Sequence, residues 1–142
     1  MGDISKNFSF FEFQASDIAA TYGMDNSIPE SVKPAIRALV DTCLQPLRYD
    51  LGVSIHINSG YRCAELNEYV NGSDSSQHRK GEAADIRSPF ITPLELARRV
   101  VALGLPFDQL ILYPTFVHIS HKRKGRQRGQ ILYNRHYTGE KI

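Results

Sequence analysis

Two residues of types that bind transition metals, His78 and Asp85, lie seven positions apart in the middle of the chain. Zinc accepts imidazole nitrogen and carboxylate oxygen at about 2.0–2.2 Å, so both side chains would have to point at one atom. A continuous helix would separate positions i and i+7 by roughly 10 Å of rise, which is too far for a shared metal. A loop that turns at Gly81 and enters a strand at Ala83 can bring the two together, because glycine has the backbone freedom for such a turn.

A third potential ligand, His118, lies in an apolar and β-branched segment, residues 115–120. This composition predicts a buried strand. Without His118, the pair of His78 and Asp85 would be better explained by a solvated surface loop. A catalytic zinc site needs three protein ligands and an open fourth position for water, and these three residues supply the ligands. The sequence therefore predicts a zinc site formed by His78, Asp85 and His118.

Residues 76–85 fit the Ser-x-His-x-x-Gly-x-Ala-x-Asp signature of zinc D-alanyl-D-alanine peptidases at every fixed position. Residues 59–62, Ser-Gly-Tyr-Arg, resemble the segment of this family that carries a substrate-binding arginine. Residues 107–111 and 117–120 resemble its final pair of strands. The order and spacing of these blocks, over residues 8–121, are similar to those of small bacterial and phage members. The family includes D,D-carboxypeptidases, D,D-dipeptidases and phage endolysins, and the hedgehog signalling domain shares its fold.

The resemblance implies a zinc metallopeptidase that hydrolyses the stem peptides of bacterial peptidoglycan, as a D-alanyl carboxypeptidase or an endopeptidase. It implies that zinc is the cofactor and that the three residues named above are its ligands. Arg62 is the candidate for binding the substrate's carboxylate or the developing oxyanion, because a guanidinium can grip a carboxylate with two parallel hydrogen bonds. Ser76 and Gln77, beside His78, are further candidates for substrate binding.

The chain departs from the family at the general base, which takes a proton from the attacking water. Carboxypeptidases and dipeptidases of this group commonly have Glu or Asp three residues before the last histidine ligand, where this chain has Thr115. Small relatives often carry a glutamate in the region that Leu112 and Tyr113 occupy here. A threonine hydroxyl or an unperturbed tyrosine cannot act as a carboxylate base near neutral pH. The base must therefore come from elsewhere, if there is one.

The remaining candidates for the base are Asp108, His121 and Glu82. His121 titrates in the useful pH range, but on a regular strand it would face the opposite side from His118. Asp108 is equally explained as a residue that fixes the turn into its strand. Three alternatives stay open: another residue supplies the base, hydrolysis is slow, or the domain is a non-catalytic binding module that zinc stabilises.

The 142 residues indicate a single domain, residues 1–142, with an ordinary hydrophobic core. No apolar run predicts a membrane segment, and the N-terminal residues show no pattern of a secretory signal. We therefore expect cytoplasmic synthesis. The resemblance to phage members implies phage association or release as the route to the cell wall. We also expect a monomer, and the net charge of +2 is too small to indicate nucleic-acid binding.

Together with the resemblance, the hydrophobic pattern leads us to expect an α+β fold, in which a small and mostly antiparallel sheet packs against helices and carries the zinc site at its open face. Helices are predicted near residues 9–13, 16–22, 29–50, 64–70 and 92–103. Further strands are predicted at residues 53–58, 109–113 and 130–133. Pro46 is expected to kink or split the long helix.

Three other features have a structural interpretation beside a functional one. Cys43 falls on the apolar face of the long helix and is predicted to be a buried thiol. Cys63 is predicted to be structural, with metal binding as the alternative, and His56 is predicted to be exposed. The basic residues 122–129 are typical of a solvated hairpin tip, and the alternative is attraction to an anionic polymer.

Overall fold

A five-stranded sheet carries two of the three predicted metal ligands, Asp85 and His118. In the computed structural model, which describes residues 2–142, its strands are β1 (His56–Ser59), β2 (Ala83–Arg87), β3 (Gln109–Leu112), β4 (Val117–Ser120) and β5 (Gln130–Tyr133). Their order in the sheet is β1-β2-β4-β3-β5, and neighbours are antiparallel except β3 and β5, which are parallel. This arrangement confirms the predicted α+β class with a mostly antiparallel sheet.

Helices supply the other side of the hydrophobic core. They are α1 (Phe10–Gln14), α2 (Asp17–Thr21), α3 (Lys33–Leu39), α4 (Gln45–Leu51), α5 (Ala64–Tyr69) and α6 (Pro93–Ala102). Apolar residues of α3, α4 and α6 form one buried cluster with Ile86, Val117 and Ile119 from the strands. Because side chains alternate along a strand, Asp85 and His118 point to the opposite face, which we call the site face.

The long helix predicted over residues 29–50 consists of three parts. α3 begins only at Lys33, because the residues before it form a turn in which Val32 N donates to Pro29 O. A π-helical turn, Val40–Leu44, joins α3 to α4. Pro46, in the first turn of α4, removes a backbone donor, so the predicted interruption takes the form of a wider turn. Within the described residues, the helices are too short or too polar to cross a membrane.

The other predicted elements are confirmed, with small shifts at their ends. The capping-box prediction for α6 is confirmed, because Glu95 N donates to Thr92 Oγ1 and Thr92 N donates to a carboxylate oxygen of Glu95. β1 begins at His56 rather than at residue 53, although burial alternates as predicted and His56 is exposed. Cys43 is fully buried, and burial raises the pKa of its thiol to about 11. The thiol is therefore unreactive at neutral pH.

The basic segment 122–129 is not a hairpin tip, because its flanking strands β4 and β5 are not neighbours in the sheet. The segment instead crosses from β4 past β3 to reach β5. Its ends are tied to the buried carboxylate of Asp108, which lies 2.7 Å from Arg128 NH2 and 3.9 Å from Lys122 Nζ. Residues 123–126, 128 and 129 are exposed, as the sequence predicts, whereas residues 122 and 127 are half-buried.

Candidate metal centre

The pairing of β2 with β4 sets the position of Asp85 and His118. The two residues are directly opposite each other in the antiparallel register. Side chains at such positions start from Cβ atoms only about 4.5–5.5 Å apart. His118 Nδ1 accordingly lies 2.9 Å from Asp85 Oδ1 on the site face. Their neighbours Ala84 and Ile119 point into the core, so the register is fixed by burial as well as by hydrogen bonds.

His78 is brought to the same point by a tight 3-10 turn, Gln77–Lys80. The turn begins with a hydrogen bond from His78 N to Ser76 Oγ and ends at Gly81, which has φ of 72°. A Cβ atom at Gly81 would also lie 2.5 Å from Val32 Cγ1, so a larger residue does not fit there. The chain enters β2 two residues later, and the predicted turn at Gly81 is confirmed.

A backbone carbonyl fixes the orientation of the His78 ring. His78 Nδ1 lies 2.7 Å from Gly60 O, so this nitrogen carries the hydrogen and donates it, and Nε2 is the ring nitrogen that faces Asp85. Nε2 lies 3.4 Å from Asp85 Oδ1. The backbone after this carbonyl is held in place because Tyr61 N donates to Phe13 O. A Cβ atom at Gly60 would lie 2.8 Å from Phe13 O, so a larger residue does not fit at this position. A histidine ligand of a metal is usually oriented in this way through its second nitrogen.

The donor atoms of His78, Asp85 and His118 fit a zinc ion. One donor atom from each residue lies within 4.8 Å of the other two, and we call this group the His-Asp-His cluster. A tetrahedral zinc with bonds of about 2.1 Å needs donors roughly 3.4 Å apart, close to the 2.9 and 3.4 Å measured. The side chains are only 4%, 10% and 13% exposed, and His118 is the most accessible. Two imidazoles and a carboxylate are also a donor set found at catalytic zinc sites.

The carboxylate of the cluster is held in its ionised form. Burial raises the pKa of Asp85, but hydrogen bonds with His118 and His78 and their charges outweigh it and place the pKa below the usual value. An ionised carboxylate is the form that binds a metal. The cluster therefore presents a negative charge and two imidazole nitrogens to a cation.

Arg62 places a positive charge beside the cluster. Its NH2 lies 3.8 Å from Asp85 Oδ2, and its Nε and NH1 lie 3.4 Å from Ser59 Oγ and Asn67 Oδ1. Arg62 N also donates to His78 O at 3.1 Å, which ties the arginine segment to the histidine turn. Burial lowers the pKa of the guanidinium and Asp85 raises it, but an arginine stays charged in either case.

A cavity of about 360 Å³ borders the Arg62 side chain. It lies between α2 and α5, and its other walls include Asn58 and Ser59 at the end of β1. Ile18, Leu66 and Val70 give it an apolar side. Asp17 also lines the cavity, which can accept a small group that has an apolar part and a negative charge directed at Arg62 and away from Asp17.

Two buried asparagines that the sequence analysis missed support the arginine segment. Asn26 donates from Nδ2 to Gln14 O and Tyr61 O and accepts from Cys63 N at 2.7 Å. Asn67 accepts from Arg62 NH1 and donates to Ser73 O. Isolated asparagines occur in many turns, so no local pattern marks these two. Their support of the arginine segment is apparent only from the three-dimensional contacts between the segments that they join.

Asp108 lies outside the cluster and has other partners. Its buried carboxylate accepts from Arg128 N, Nε and NH2 at 2.7–3.2 Å and from Gln77 Nε2 at 3.2 Å. The hydrogen bonds from Arg128 lower the pKa of Asp108 to about 2. A carboxylate this acidic and this fully bonded is a poor proton acceptor. The structure therefore gives Asp108 the role of an anchor for the basic segment, and its catalytic role stays a prediction.

The remaining predicted site residues are also bonded to other partners. His121 Nδ1 lies 2.7 Å from Pro106 O, and Glu82 Oε2 accepts from Arg123 N at 3.0 Å. Gln77 bonds to Asp108 and Glu82, and Ser76 caps the turn that carries His78. Within the described residues 2–142, Asp85 is the one acidic residue that belongs to the His-Asp-His cluster. Cys63 is not part of it, and its Sγ accepts from Leu66 N at the start of α5.

We expect Asp108→Asn to lower the free energy of unfolding at pH 7 by about 2–3 kcal/mol, because it weakens charge-assisted bonds to a buried group. The carboxyl pKa is about 2 in the folded protein and higher, about 3.9, in the unfolded chain. Because the carboxyl pKa is lower in the folded protein, the group stabilises the fold at pH values above its pKa in the unfolded chain. This stabilisation is lost as the pH falls through the pKa of the folded state. Urea unfolding should therefore show a constant difference above about pH 5 that shrinks towards about pH 2.

The same variant distinguishes anchoring from catalysis. If Asp108 anchors the basic segment, the folded Asp108→Asn protein keeps its zinc and its activity per folded molecule. Unchanged stability with a large fall in kcat would instead identify Asp108 as the general base.

A comparison with protein families matches residues 6–120 to the family described as Peptidase M15. The matched range covers most of the chain and includes the 3-10 turn, β2 and β4, which carry the His-Asp-His cluster. It also includes Arg62 and the two asparagines that support it. No curated protein sequence matches the chain.

Proposed function

The chain belongs to the peptidase M15 family, the zinc D-alanyl-D-alanine peptidase family that its sequence resembles, and we propose that it hydrolyses stem peptides of bacterial peptidoglycan. Peptidases of this family use zinc in general. The observation that carries the proposal is the meeting of three metal-binding side chains on the site face, beside a half-buried guanidinium. The D-alanyl specificity is supported by the signature over residues 76–85 and by the arginine segment before it.

The cluster would hold the zinc ion, and the surrounding residues would prepare it for hydrolysis. When bound, zinc lowers the pKa of a water ligand towards about 7 and polarises the peptide carbonyl. Gly60 O keeps His78 Nε2 available as a ligand, and pairing with β4 holds Asp85 against His118. These contacts arrange the ligands before any substrate binds, which reduces the rearrangement needed during reaction.

Arg62 would bind the C-terminal carboxylate of the peptide. The guanidinium is fixed by Ser59 and Asn67 and borders the cavity between α2 and α5. The apolar wall of this cavity suits the methyl group of a terminal alanine. A carboxylate held there would lie close to the cluster, because Arg62 contacts Asp85 directly. This arrangement favours removal of a C-terminal residue over cleavage in the middle of a long peptide.

The proposal is tested with purified stem pentapeptide that ends in D-Ala-D-Ala. We expect zinc-loaded protein to release D-alanine, detected by mass spectrometry, and a chelator to stop the release. The same peptide with a C-terminal amide, or with L-alanine at the end, should be cleaved much more slowly. Preferred cleavage of the amide would contradict a role for the terminal carboxylate, and no cleavage of any stem peptide would contradict the proposal.

A second candidate function is a binding module that zinc stabilises without catalysis. It is favoured by one observation: Asp108, His121 and Glu82 all have partners other than the cluster. In this case, one zinc per chain would raise the midpoint of thermal unfolding, and stem peptides would bind without being cut. The release assay above separates the two functions.

A further inference from the structure

Tyr113 lies at the end of the strand that pairs with β4, which carries His118, although it is distant from His78 and Asp85 in sequence. It directly follows β3, in which Ile111 is paired with His118. Tyr113 N donates to Phe116 O at 3.0 Å, so the antiparallel pairing continues as far as Tyr113. Because side chains alternate along a strand, Tyr113 shares the site face with Ile111, whereas Leu112 points into the core.

The Tyr113 ring is held by a second aromatic ring. It stacks on Phe116 with a centroid separation of 4.3 Å and an interplanar angle of 12°. Both residues are half-buried. A stacked tyrosine has few accessible rotamers, so its hydroxyl can be directed at a fixed point with little loss of entropy on binding.

The charges of Asp85 and Arg62 act on the pKa of the Tyr113 hydroxyl in opposite directions. Burial raises the pKa of Tyr113, the Asp85 carboxylate raises it further, and the Arg62 guanidinium opposes this. The phenol is therefore neutral at physiological pH and acts as a hydrogen-bond donor rather than as a base.

We propose that Tyr113 is a catalytic residue whose hydroxyl donates a hydrogen bond to the oxyanion that forms when the scissile peptide is attacked. The inference rests on the proposed function and assigns a residue to it. Arg62 would be occupied by the substrate's carboxylate, and the three acidic or basic candidates are bonded elsewhere. Besides Arg87, which is exposed and bonded to Asn58, Tyr113 is a polar side chain that the sheet register directs to the site face.

The step balances without a proton transfer by tyrosine. The oxygen of water forms a bond to the carbonyl carbon, and the carbonyl π electrons move onto the oxygen that Tyr113 contacts. The C–N bond then breaks, the carbonyl forms again, and the leaving nitrogen takes a proton given up by the attacking water. Tyr113 keeps its proton throughout and stabilises the negative charge, which is greatest between the two events.

The test is Tyr113→Phe, which keeps the ring and its stack on Phe116 and removes only the hydroxyl. We expect kcat to fall by about 100-fold, as when one oxyanion donor is removed, with KM changed by less than about threefold. Zinc content should be unchanged. The affinity for a phosphinate analogue of the scissile dipeptide, measured by calorimetry, should fall by about 100-fold because its tetrahedral oxygens resemble the oxyanion. Tyr49→Phe removes the same group from an exposed tyrosine on α4 and should change neither quantity.

The outcomes separate this inference from the function on which it rests. Wild-type cleavage with unchanged kcat and analogue affinity in Tyr113→Phe would overturn the inference alone. A rise in KM at constant kcat, or a loss of zinc, would also overturn it, because the residue would then bind ground-state substrate or support the fold. Absence of cleavage by the wild-type protein would overturn the proposed function and this inference with it.

Discussion

His78→Ala is expected to lose its bound zinc and to release no D-alanine above background. The imidazole supplies one of the three donor atoms of the cluster, and a two-ligand remainder binds zinc weakly. Loss of a residue that merely orients a ligand costs 10- to 100-fold in metal affinity, so loss of the ligand itself should exceed about 100-fold. Elemental analysis after gel filtration and the D-alanine assay measure the two effects on one sample.

The fold should survive this substitution. The side chain gives up its hydrogen bond to Gly60 O, which contributes about 1 kcal/mol to stability, and its contact with Asp85. His56→Ala is the matched control, because His56 is an exposed histidine on β1 and lies outside the cluster. Full zinc and full activity in His78→Ala would contradict the assignment of the metal centre, provided that His56→Ala behaves like the wild type.

Arg62→Met is expected to lower kcat/KM by about 100-fold or more for a peptide with a free C-terminal carboxylate. Methionine has a similar length but no charge, so the substrate loses two charge-assisted hydrogen bonds, each contributing about 1.5–3 kcal/mol. The loss should appear mainly in KM, because the carboxylate carries the same charge in the ground state and in the transition state. Steady-state kinetics of D-alanine release measure both parameters.

A substrate with a C-terminal amide makes this prediction specific. If Arg62 binds the carboxylate, the wild-type protein and Arg62→Met should cleave the amide at similar rates, and the four measurements form a double-mutant cycle. Arg99→Met removes an exposed arginine that pairs with Asp50 on the surface, so it should have little effect. An equal loss on both substrates would mean that Arg62 acts through the cluster rather than through the carboxylate.

Local sequence patterns predict the parts of the site that are close in the chain. The spacing of His78, Gly81 and Asp85 indicates a turn followed by a strand, and the structure has both. The apolar and β-branched composition around His118 indicates a buried strand, and the structure has β4 there. The structure then brings the three predicted ligands together, whereas their binding of zinc stays a prediction.

Other features depend on contacts between distant segments, which no local pattern encodes. The parallel pairing of β5 with β3 places Arg128 against Asp108, twenty positions away in sequence. The sequence does indicate a structural role for Asp108, as a residue that fixes a turn, but its partner Arg128 cannot be read from the sequence. Tyr113 illustrates the same limit, since its relation to Asp85 and Arg62 follows from the sheet register rather than from any motif.

The central claim is that the His-Asp-His cluster holds a zinc ion that is required for stem-peptide hydrolysis. It is tested most directly by following D-alanine release while metal-free protein is titrated with zinc. The account predicts that activity rises linearly and reaches a plateau at one zinc per chain. Activity that does not depend on zinc, or one bound zinc per chain with no release of D-alanine, would contradict it.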